Sequence, residues 1–176
     1  MAHAVLVIDM QRGFLEEGHP LYCGPEARAV IPKVRALIER ELAAGATLFF
    51  TADTHDPDDR EFQMFPPHCI RGTEEVEIIP ELADLTAKGT LIPKRRYSAF
   101  FETDLAEKLA AFKPEKLVFC GVCTDICVMH SVADARNRDF VVEVYTDCVA
   151  SFDPEAHAFA LKHMEKILGA TLKTLK

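Results

Sequence analysis

"KLVFCGVCTDICVMHS", residues 116–131, joins two sequence patterns that together indicate the fold. The apolar run at 115–122 predicts a short buried strand, and residues 124–138 have the apolar spacing of a helix. Three of the six cysteines stand in this stretch, with the spacing C-x-x-C-x-x-x-C. A strand that leads directly into a helix is the repeating unit of a parallel sheet.

The same alternation continues on both sides of this stretch. Further strand-like runs occupy 3–10, 46–53, 89–94, 139–147 and 170–175, and helical patterns occupy 25–45, 102–112 and 154–169. We therefore predict a single α/β domain over residues 1–176, with a three-layer doubly wound fold. Its sheet should be six-stranded and mainly parallel, with helices on both faces. Residues 54–90 lack a helical period until about Pro80, which predicts a functional loop.

Composition limits the classes of function. The 176 residues are 49% hydrophobic, which is enough for a full core, and carry a formal charge of −8. This acidic balance argues against nucleic acid or an anionic membrane as a partner. The first apolar run is too short for a signal peptide, so we expect a cytoplasmic protein whose thiols stay reduced.

Polar residues follow several of the predicted strands. Asp9 ends the first strand, Asp53 and His55 follow the second, and Lys94 ends the third. The helix that carries Cys127 follows the fourth strand. Since parallel strands end at one edge of a sheet, and ligands bind at that edge, we expect these groups to share a site.

Cys127 is open to four interpretations. With Thr124 as N-cap it is the third residue of a helix, where free amides and the macrodipole lower a thiol pKa by about one unit and favour a nucleophile. It could instead be a buried core cysteine. It could share a zinc site with Cys120 and Cys123, or form a Cys-His dyad with His130 on the same helix face.

The segment DTHDPDDREFQMFPPH, residues 53–68, is rich in metal-ligating side chains. Asp53 and His55 lie on the same side of an extended chain, and Glu61 and His68 could fold back to them. Two histidines and two carboxylates suit a divalent cation such as zinc, iron or manganese. The alternative is an ordinary polar surface loop.

Several stretches taken together resemble one family, the isochorismatase-like cysteine hydrolases, and within it the nicotinamidases. These stretches are VLVIDMQRGF, TADTH, MFPPHCIRGT, KRRYSAFFETDL and CGVCTDICVMHSVADA. They extend from residue 5 to residue 135, and the later strand and helix patterns fit as well. Two positions depart from the family pattern: Cys123, where a small residue such as alanine is usual, and Gly13, where aspartate is common.

The resemblance implies a catalytic triad of Asp9, Lys94 and Cys127. It also implies a cis peptide between Val122 and Cys123, and an oxyanion hole made by the backbone amides of Cys123 and Cys127. Reference pKa values of about 3.9 and about 8.5 place roughly 6 kcal/mol against proton transfer from the thiol to Asp9. We therefore expect Asp9 to be buried, with Lys94 between the two groups.

The resemblance further implies one divalent metal ion, with zinc the first choice and iron or manganese the alternatives. Asp53, His55 and His68 would hold it, with Glu61 as a fourth ligand. Aromatic side chains in matching segments would bind the substrate: Phe14, Phe65 and Tyr97.

The implied activity is hydrolysis of nicotinamide to nicotinic acid and ammonia through a thioester, with pyrazinamide as a further substrate. The implied partner is thus a small aromatic amide, and the implied assembly is a homo-oligomer. A related amidohydrolase acting on a carbamoyl or ureido compound is the nearest alternative. A non-catalytic metal-binding protein is the alternative from another class.

Overall fold

The computed structural model describes residues 2–176, and this part of the chain contains one six-stranded sheet. Its strands are β1 (His3–Ile8), β2 (Thr47–Asp53), β3 (Thr90–Lys94), β4 (Lys116–Val122), β5 (Val141–Ala150) and β6 (Thr171–Lys173). All neighbouring pairs are parallel, in the order β3-β2-β1-β4-β5-β6. The predicted six-stranded α/β fold is confirmed.

Helices cover both faces of the sheet. They are α1 (Arg12–Leu15), α2 (Pro25–Ala29), α3 (Ile31–Ala43), α4 (Pro80–Thr86), α5 (Leu105–Phe112), α6 (Met129–Asn137) and α7 (Pro154–Lys166). Residues of β1 show how the core divides. Val5 and Val7 pack in the cluster that contains α3 and α4, whereas Leu6 and Ile8 pack in the cluster that contains α5, α6 and α7. Both faces of the strand are therefore apolar, as buried parallel strands require.

The strand order reverses between β1 and β4, because the chain builds one half of the sheet outward from β1 and then returns to build the other. Such a switch point leaves a crevice beyond the carboxyl ends of the strands. Gly121 makes this junction possible. Its φ is +115°, and a Cβ there would lie 2.1 Å from the carbonyl oxygen of Ile8, so no other residue fits between the two backbones.

Two helix predictions need correction. The pattern at 25–45 forms two helices that meet at Val30, because Pro32 has no amide hydrogen to continue α2 and is instead accepted in the first turn of α3. The pattern at 124–138 begins with a π-helical turn, Thr124–Val128, whose N-cap is Cys123. Thr124 is therefore not the N-cap, and its hydroxyl lies 2.7 Å from His157 Nδ1.

Two 3₁₀ turns, Arg60–Gln63 and Glu74–Val76, interrupt the long loop between β2 and α4. An isolated bridge from Gln11 to Ile78 ties this loop to the segment after β1, and a second bridge, from His55 to Ile70, joins two parts of the loop itself. Among residues 2–176, no helix is long and apolar enough to cross a membrane.

Candidate active site

The four strands β3, β2, β1 and β4 are neighbours, so their carboxyl ends bring the predicted residues together. Lys94 is the last residue of β3, Asp53 the last of β2, and Asp9 follows β1. Cys127 lies in the π-helical turn that follows β4. In the sheet, Asp53 lies directly opposite Lys94, and Ile8, the last residue of β1, lies opposite Gly121. The four side chains therefore meet at the switch point.

Asp9, Lys94 and Cys127, here called the triad, form one buried group. Lys94 Nζ lies 2.8 Å from Asp9 Oδ2 and 3.4 Å from Cys127 Sγ. The same ammonium donates a hydrogen bond to the carbonyl of Arg96 at 2.9 Å. Asp9 and Lys94 side chains are fully buried, while Cys127 keeps 8% of its surface exposed. Lys94 thus sits between the carboxylate and the thiol.

Burial dominates the ionisation of the triad. It raises the pKa of the Cys127 thiol well above its ordinary value, and Asp9 adds to this effect while Lys94 opposes it. The lowered pKa that was expected for this thiol is therefore wrong, because burial makes the thiolate costly at this site and raises the pKa instead. Burial also raises the pKa of Asp9, again against Lys94. Burial alone would lower the pKa of Lys94, but Asp53 and Asp9 raise it, so the ammonium stays charged.

Two polar side chains that the sequence reasoning missed hold the acidic residues. Thr51 donates its hydroxyl to Asp9 Oδ1 at 2.6 Å and accepts the Asp9 amide at 3.1 Å. Gln11 pairs with the main chain of Asp53, accepting its amide at 2.7 Å and donating to its carbonyl at 2.9 Å. A signal existed for both, since Thr51 shares a strand face with Asp53 and Gln11 belongs to the D-M-Q motif.

Asp53, His55, Glu61 and His68, here called the Asp-His-Glu-His cluster, place one ligand atom each within 4.8 Å of one another. His55 Nε2 lies 2.9 Å from Asp53 Oδ2 and 3.2 Å from Glu61 Oε2. His68 Nε2 lies 3.3 Å and 3.5 Å from the same two oxygens. The four side chains come from the end of β2 and from three separate points of the following loop.

The donor set fits a divalent cation. Each imidazole uses Nδ1 for a hydrogen bond, His55 to Asp59 at 3.0 Å and His68 to the Pro66 carbonyl at 2.8 Å, which leaves Nε2 facing the cluster. Glu61 Oε1 is buried and has no hydrogen-bond partner within residues 2–176. Such an orphaned carboxylate oxygen needs a partner, and a cation beside it would supply one. Two imidazoles and two carboxylates are suitable ligands for zinc, iron or manganese.

The charges of the cluster are balanced by its own members. Burial alone would lower the pKa of both rings, but hydrogen bonds to Asp53 and Glu61 raise it to about 10 for His55 and about 9 for His68. Asp53 also links the cluster to the triad, because its Oδ1 lies 3.4 Å from Lys94 Nζ while its Oδ2 faces the histidines.

Two of the alternatives considered for Cys127, the zinc site and the Cys-His dyad, do not form, although the thiol is buried as a core cysteine would be. Cys120 Sγ points toward the Leu6 carbonyl, and Cys123 Sγ lies 3.5 Å from Cys23 Sγ. No cysteine joins a metal-ligating group anywhere in residues 2–176. His130 is exposed, and its Nδ1 bonds the Ile126 carbonyl at 2.7 Å, so it makes no dyad with the thiol.

A cavity of about 370 Å³, its open mouth included, lies beside Cys127 and reaches Asp53, Glu61 and His68. The three predicted aromatic residues all line it. Phe14 and Phe65 stand 5.9 Å and 6.2 Å from the His68 ring, centroid to centroid, and Phe65 meets Tyr97 edge-on at 6.4 Å. The aromatic wall therefore adjoins the cluster.

Three further apolar side chains that the sequence reasoning missed also line the cavity: Leu21, Ile126 and Phe152. Nothing in their local sequence distinguishes them from core residues. Val122 and Cys123 also line the cavity, and the peptide bond between them is cis, as the resemblance suggested.

The match to a family model decides the classification of this fold and site. The model described as the isochorismatase domain matches residues 3–175. The chain belongs to the isochorismatase family. Within this family of hydrolases it is similar to an uncharacterized isochorismatase family protein of Bacillus subtilis, with 37% identity over 97% of this chain and 98% of that protein.

Solved structures of isochorismatase family members have the same fold. A nicotinamidase from Bacillus subtilis superposes with a TM-score of 0.92 at 37% identity, covering 98% of this chain and 99% of that one. A pyrazinamidase from Pyrococcus horikoshii in complex with zinc gives 0.90 at 31%, covering 98% and 99%. An N-carbamoylsarcosine amidase from Thermoplasma acidophilum gives 0.89 at 31%, covering 99% and 96%. The isochorismatase fold thus carries more than one amidase activity.

Proposed function

We propose that this protein hydrolyses nicotinamide to nicotinic acid and ammonia, and that it also accepts pyrazinamide. The observation that carries the proposal is a single cavity that exposes the Cys127 thiol, the aromatic wall and three members of the Asp-His-Glu-His cluster. An aromatic amide of this size presents a flat ring to such a wall and a carboxamide to the thiol. The similar nicotinamidase and zinc-bound pyrazinamidase structures support this choice.

The first step is attack of Cys127 Sγ on the carboxamide carbon, with transfer of the thiol proton to Asp9. Since burial raises the pKa of both groups, the resting thiol is neutral and the proton moves only as the C–S bond forms. Lys94 keeps its positive charge beside the Asp9 carboxylate and the Cys127 sulfur. It stabilises the negative charge on whichever of the two carries it during the transfer.

The second step releases ammonia and leaves a thioester. Backbone amides of Cys123 and Cys127 stabilise the tetrahedral oxyanion, and Asp9 returns its proton to the departing nitrogen. A water molecule then adds to the thioester carbonyl and gives a proton to Asp9. Collapse of this second intermediate breaks the C–S bond and releases nicotinic acid, and Asp9 returns the proton to Sγ, which restores the Cys127 thiol.

Orientation of the ring is the proposed task of the cluster and the aromatic wall. A divalent cation held by Asp53, His55, Glu61 and His68, zinc by first choice, would supply a Lewis acid for the pyridine nitrogen lone pair. Phe14, Phe65 and Tyr97 would hold the ring so that its carboxamide faces Cys127. The proposal includes a homo-oligomeric enzyme of NAD salvage, as the resemblance implies, and the cytoplasmic location that the sequence led us to expect.

A second candidate is hydrolysis of a carbamoyl or ureido compound. The similarity to an N-carbamoylsarcosine amidase favours it, because the same triad chemistry could serve either kind of amide. The cavity wall argues against it. Eight residues outside the triad and the cluster line the cavity: six are apolar, and the other two are Tyr97 and Cys123. A ureido group would need more polar partners than this wall offers.

Ammonia release from a panel of amides tests the proposal. Zinc-loaded protein should release ammonia from nicotinamide and pyrazinamide, and should act poorly on N-carbamoylsarcosine. The Cys127→Ala variant, measured in parallel, should release none. Preferred hydrolysis of the carbamoyl compound would replace the proposed substrate, and inactivity of the wild-type protein on every amide would favour the non-catalytic metal-binding alternative.

A further inference from the structure

An ion pair that belongs to neither the triad nor the cluster contacts the Asp-His-Glu-His cluster and does not line the cavity. It joins Asp59 to Arg96. Arg96 Nη1 lies 2.9 Å from Asp59 Oδ1 and 3.0 Å from Oδ2. Only 6% of the Asp59 side chain is exposed, compared with 30% for Arg96.

Asp59 contacts two of the four cluster members. Its Oδ2 accepts the Nδ1–H of His55 at 3.0 Å, and its Oδ1 accepts the backbone amide of Glu61 at 2.9 Å. The second contact makes Asp59 the N-cap of the 3₁₀ turn that carries Glu61. One carboxylate therefore fixes the ring of one ligand and the backbone of another.

Arg96 reaches the triad as well. Its carbonyl accepts a hydrogen bond from Lys94 Nζ at 2.9 Å, while its guanidinium holds Asp59. The next residue, Tyr97, lines the cavity. The short segment after β3 thus connects the ammonium of the triad, the aromatic wall and the back of the cluster.

We propose that Asp59 and Arg96 form a positioning clamp that sets the geometry of the metal ligands, an inference that rests on the metal centre of the proposed function. Asp59 holds His55 in the tautomer that has a proton on Nδ1, so that Nε2 is available to the cation. It also anchors the turn that presents Glu61. Arg96 keeps the Asp59 carboxylate in place and fixes the position of the cluster relative to Lys94.

The isosteric change Asp59→Asn tests the clamp most directly. Both oxygens of Asp59 accept hydrogen bonds, so an amide of the same shape must turn a donating NH₂ toward His55 Nδ1–H or toward the Glu61 amide. One contact is lost whichever way the amide points. Loss of an outer partner of a metal ligand typically weakens metal binding by about 10–100-fold.

The measurement is zinc affinity, determined by competition with a chromogenic chelator, because it requires no turnover. Asp59→Asn should bind zinc about 10–100-fold more weakly than wild type. Arg96→Met should weaken binding in the same direction by a smaller factor. The matched controls are Asp56→Asn and Arg95→Met, exposed neighbours whose partners are Arg71 and Glu102. Both controls should keep wild-type affinity.

Three results separate the clamp from simpler explanations. At saturating zinc the Asp59→Asn variant should recover its turnover of nicotinamide, whereas general damage to the fold would lower both turnover and Tm without rescue. The double variant that combines Asp59→Asn with Arg96→Met should lose no more zinc affinity than Asp59→Asn alone, since both side chains act through one ion pair. Wild-type zinc affinity in Asp59→Asn, or additive losses in the double variant, would overturn the clamp. Failure of the wild-type protein to bind zinc would overturn the metal centre and the clamp together.

Discussion

The triad and the Asp-His-Glu-His cluster are held in different ways, although they share one cavity. Triad residues stand at the ends of neighbouring strands, or one turn beyond, so the sheet register itself sets their spacing. Three of the four cluster residues come from the loop after β2, where regular structure is limited to 3₁₀ turns and single bridges.

This difference shows which contacts keep each part of the site rigid. The triad depends mainly on main-chain pairing and burial, with one further side-chain contact from Thr51 to Asp9. The cluster depends on individual side-chain contacts, with Gln11 on Asp53, Asp59 on His55 and the Pro66 carbonyl on His68. We therefore expect the two groups to respond separately to substitution.

Cys127→Ala should have the largest effect. Removal of the proposed nucleophile should lower kcat for nicotinamide by on the order of 10⁴-fold or more, as loss of a triad member does in other hydrolases. Zinc affinity should stay at the wild-type value, because Cys127 contributes no atom to the cluster. Weakened zinc binding in this variant would contradict the separation of the two groups.

Asp9→Asn should reduce kcat by about 10²–10⁴-fold, because the amide cannot accept the thiol proton. The shape of the side chain is kept, so Thr51 and Lys94 retain a neighbour of the same size. Steady-state kinetics and thermal unfolding of the variant check this together. A correctly folded variant with nearly full activity would remove Asp9 from its proposed role.

Glu61→Gln tests the Asp-His-Glu-His cluster. The change removes one anionic ligand and should weaken zinc binding at least as much as the loss of an outer partner, which is about 10–100-fold. Alkylation of Cys127 should proceed at the wild-type rate, since Glu61 and the thiol belong to different groups. The variant is examined by chelator competition and by labelling with iodoacetamide, and altered labelling would show that the groups are coupled.

The pH dependence of alkylation gives the smallest effect, about tenfold per pH unit. Burial raises the pKa of Cys127, so below that pKa the thiolate fraction rises tenfold with each unit of pH. Labelling of Cys127 should keep rising through about pH 9, above the value near 8.5 where free cysteine begins to level off. A plateau near neutral pH would indicate a resting thiolate and contradict the buried neutral thiol.

Sequence reasoning was most successful where the sheet determines the geometry. Strand ends are visible as polar residues after apolar runs, and parallel pairing brings Asp9, Asp53 and Lys94 to one edge whatever the loops do. The ligand types of the cluster could also be predicted from the sequence, because two histidines and two carboxylates within 16 residues suggest a cation site.

The remaining features depend on tertiary contacts that no local pattern encodes. Asp59 looks like any acidic loop residue until the loop folds it beneath His55 and beside Arg96, 37 positions away. The pKa of Cys127 was mispredicted for a related reason. Helix position can be read locally, whereas burial, the largest cause of the raised pKa, is a property of the whole fold.

Nicotinamide kinetics before and after metal removal test the central claim most directly, because they require both groups at once. Protein that is stripped by a chelator and verified to be metal-free should show a strongly raised KM, and added zinc should restore the original value. Normal nicotinamide kinetics in the metal-free protein would contradict the account, leaving the cysteine hydrolase without the proposed role for the Asp-His-Glu-His cluster.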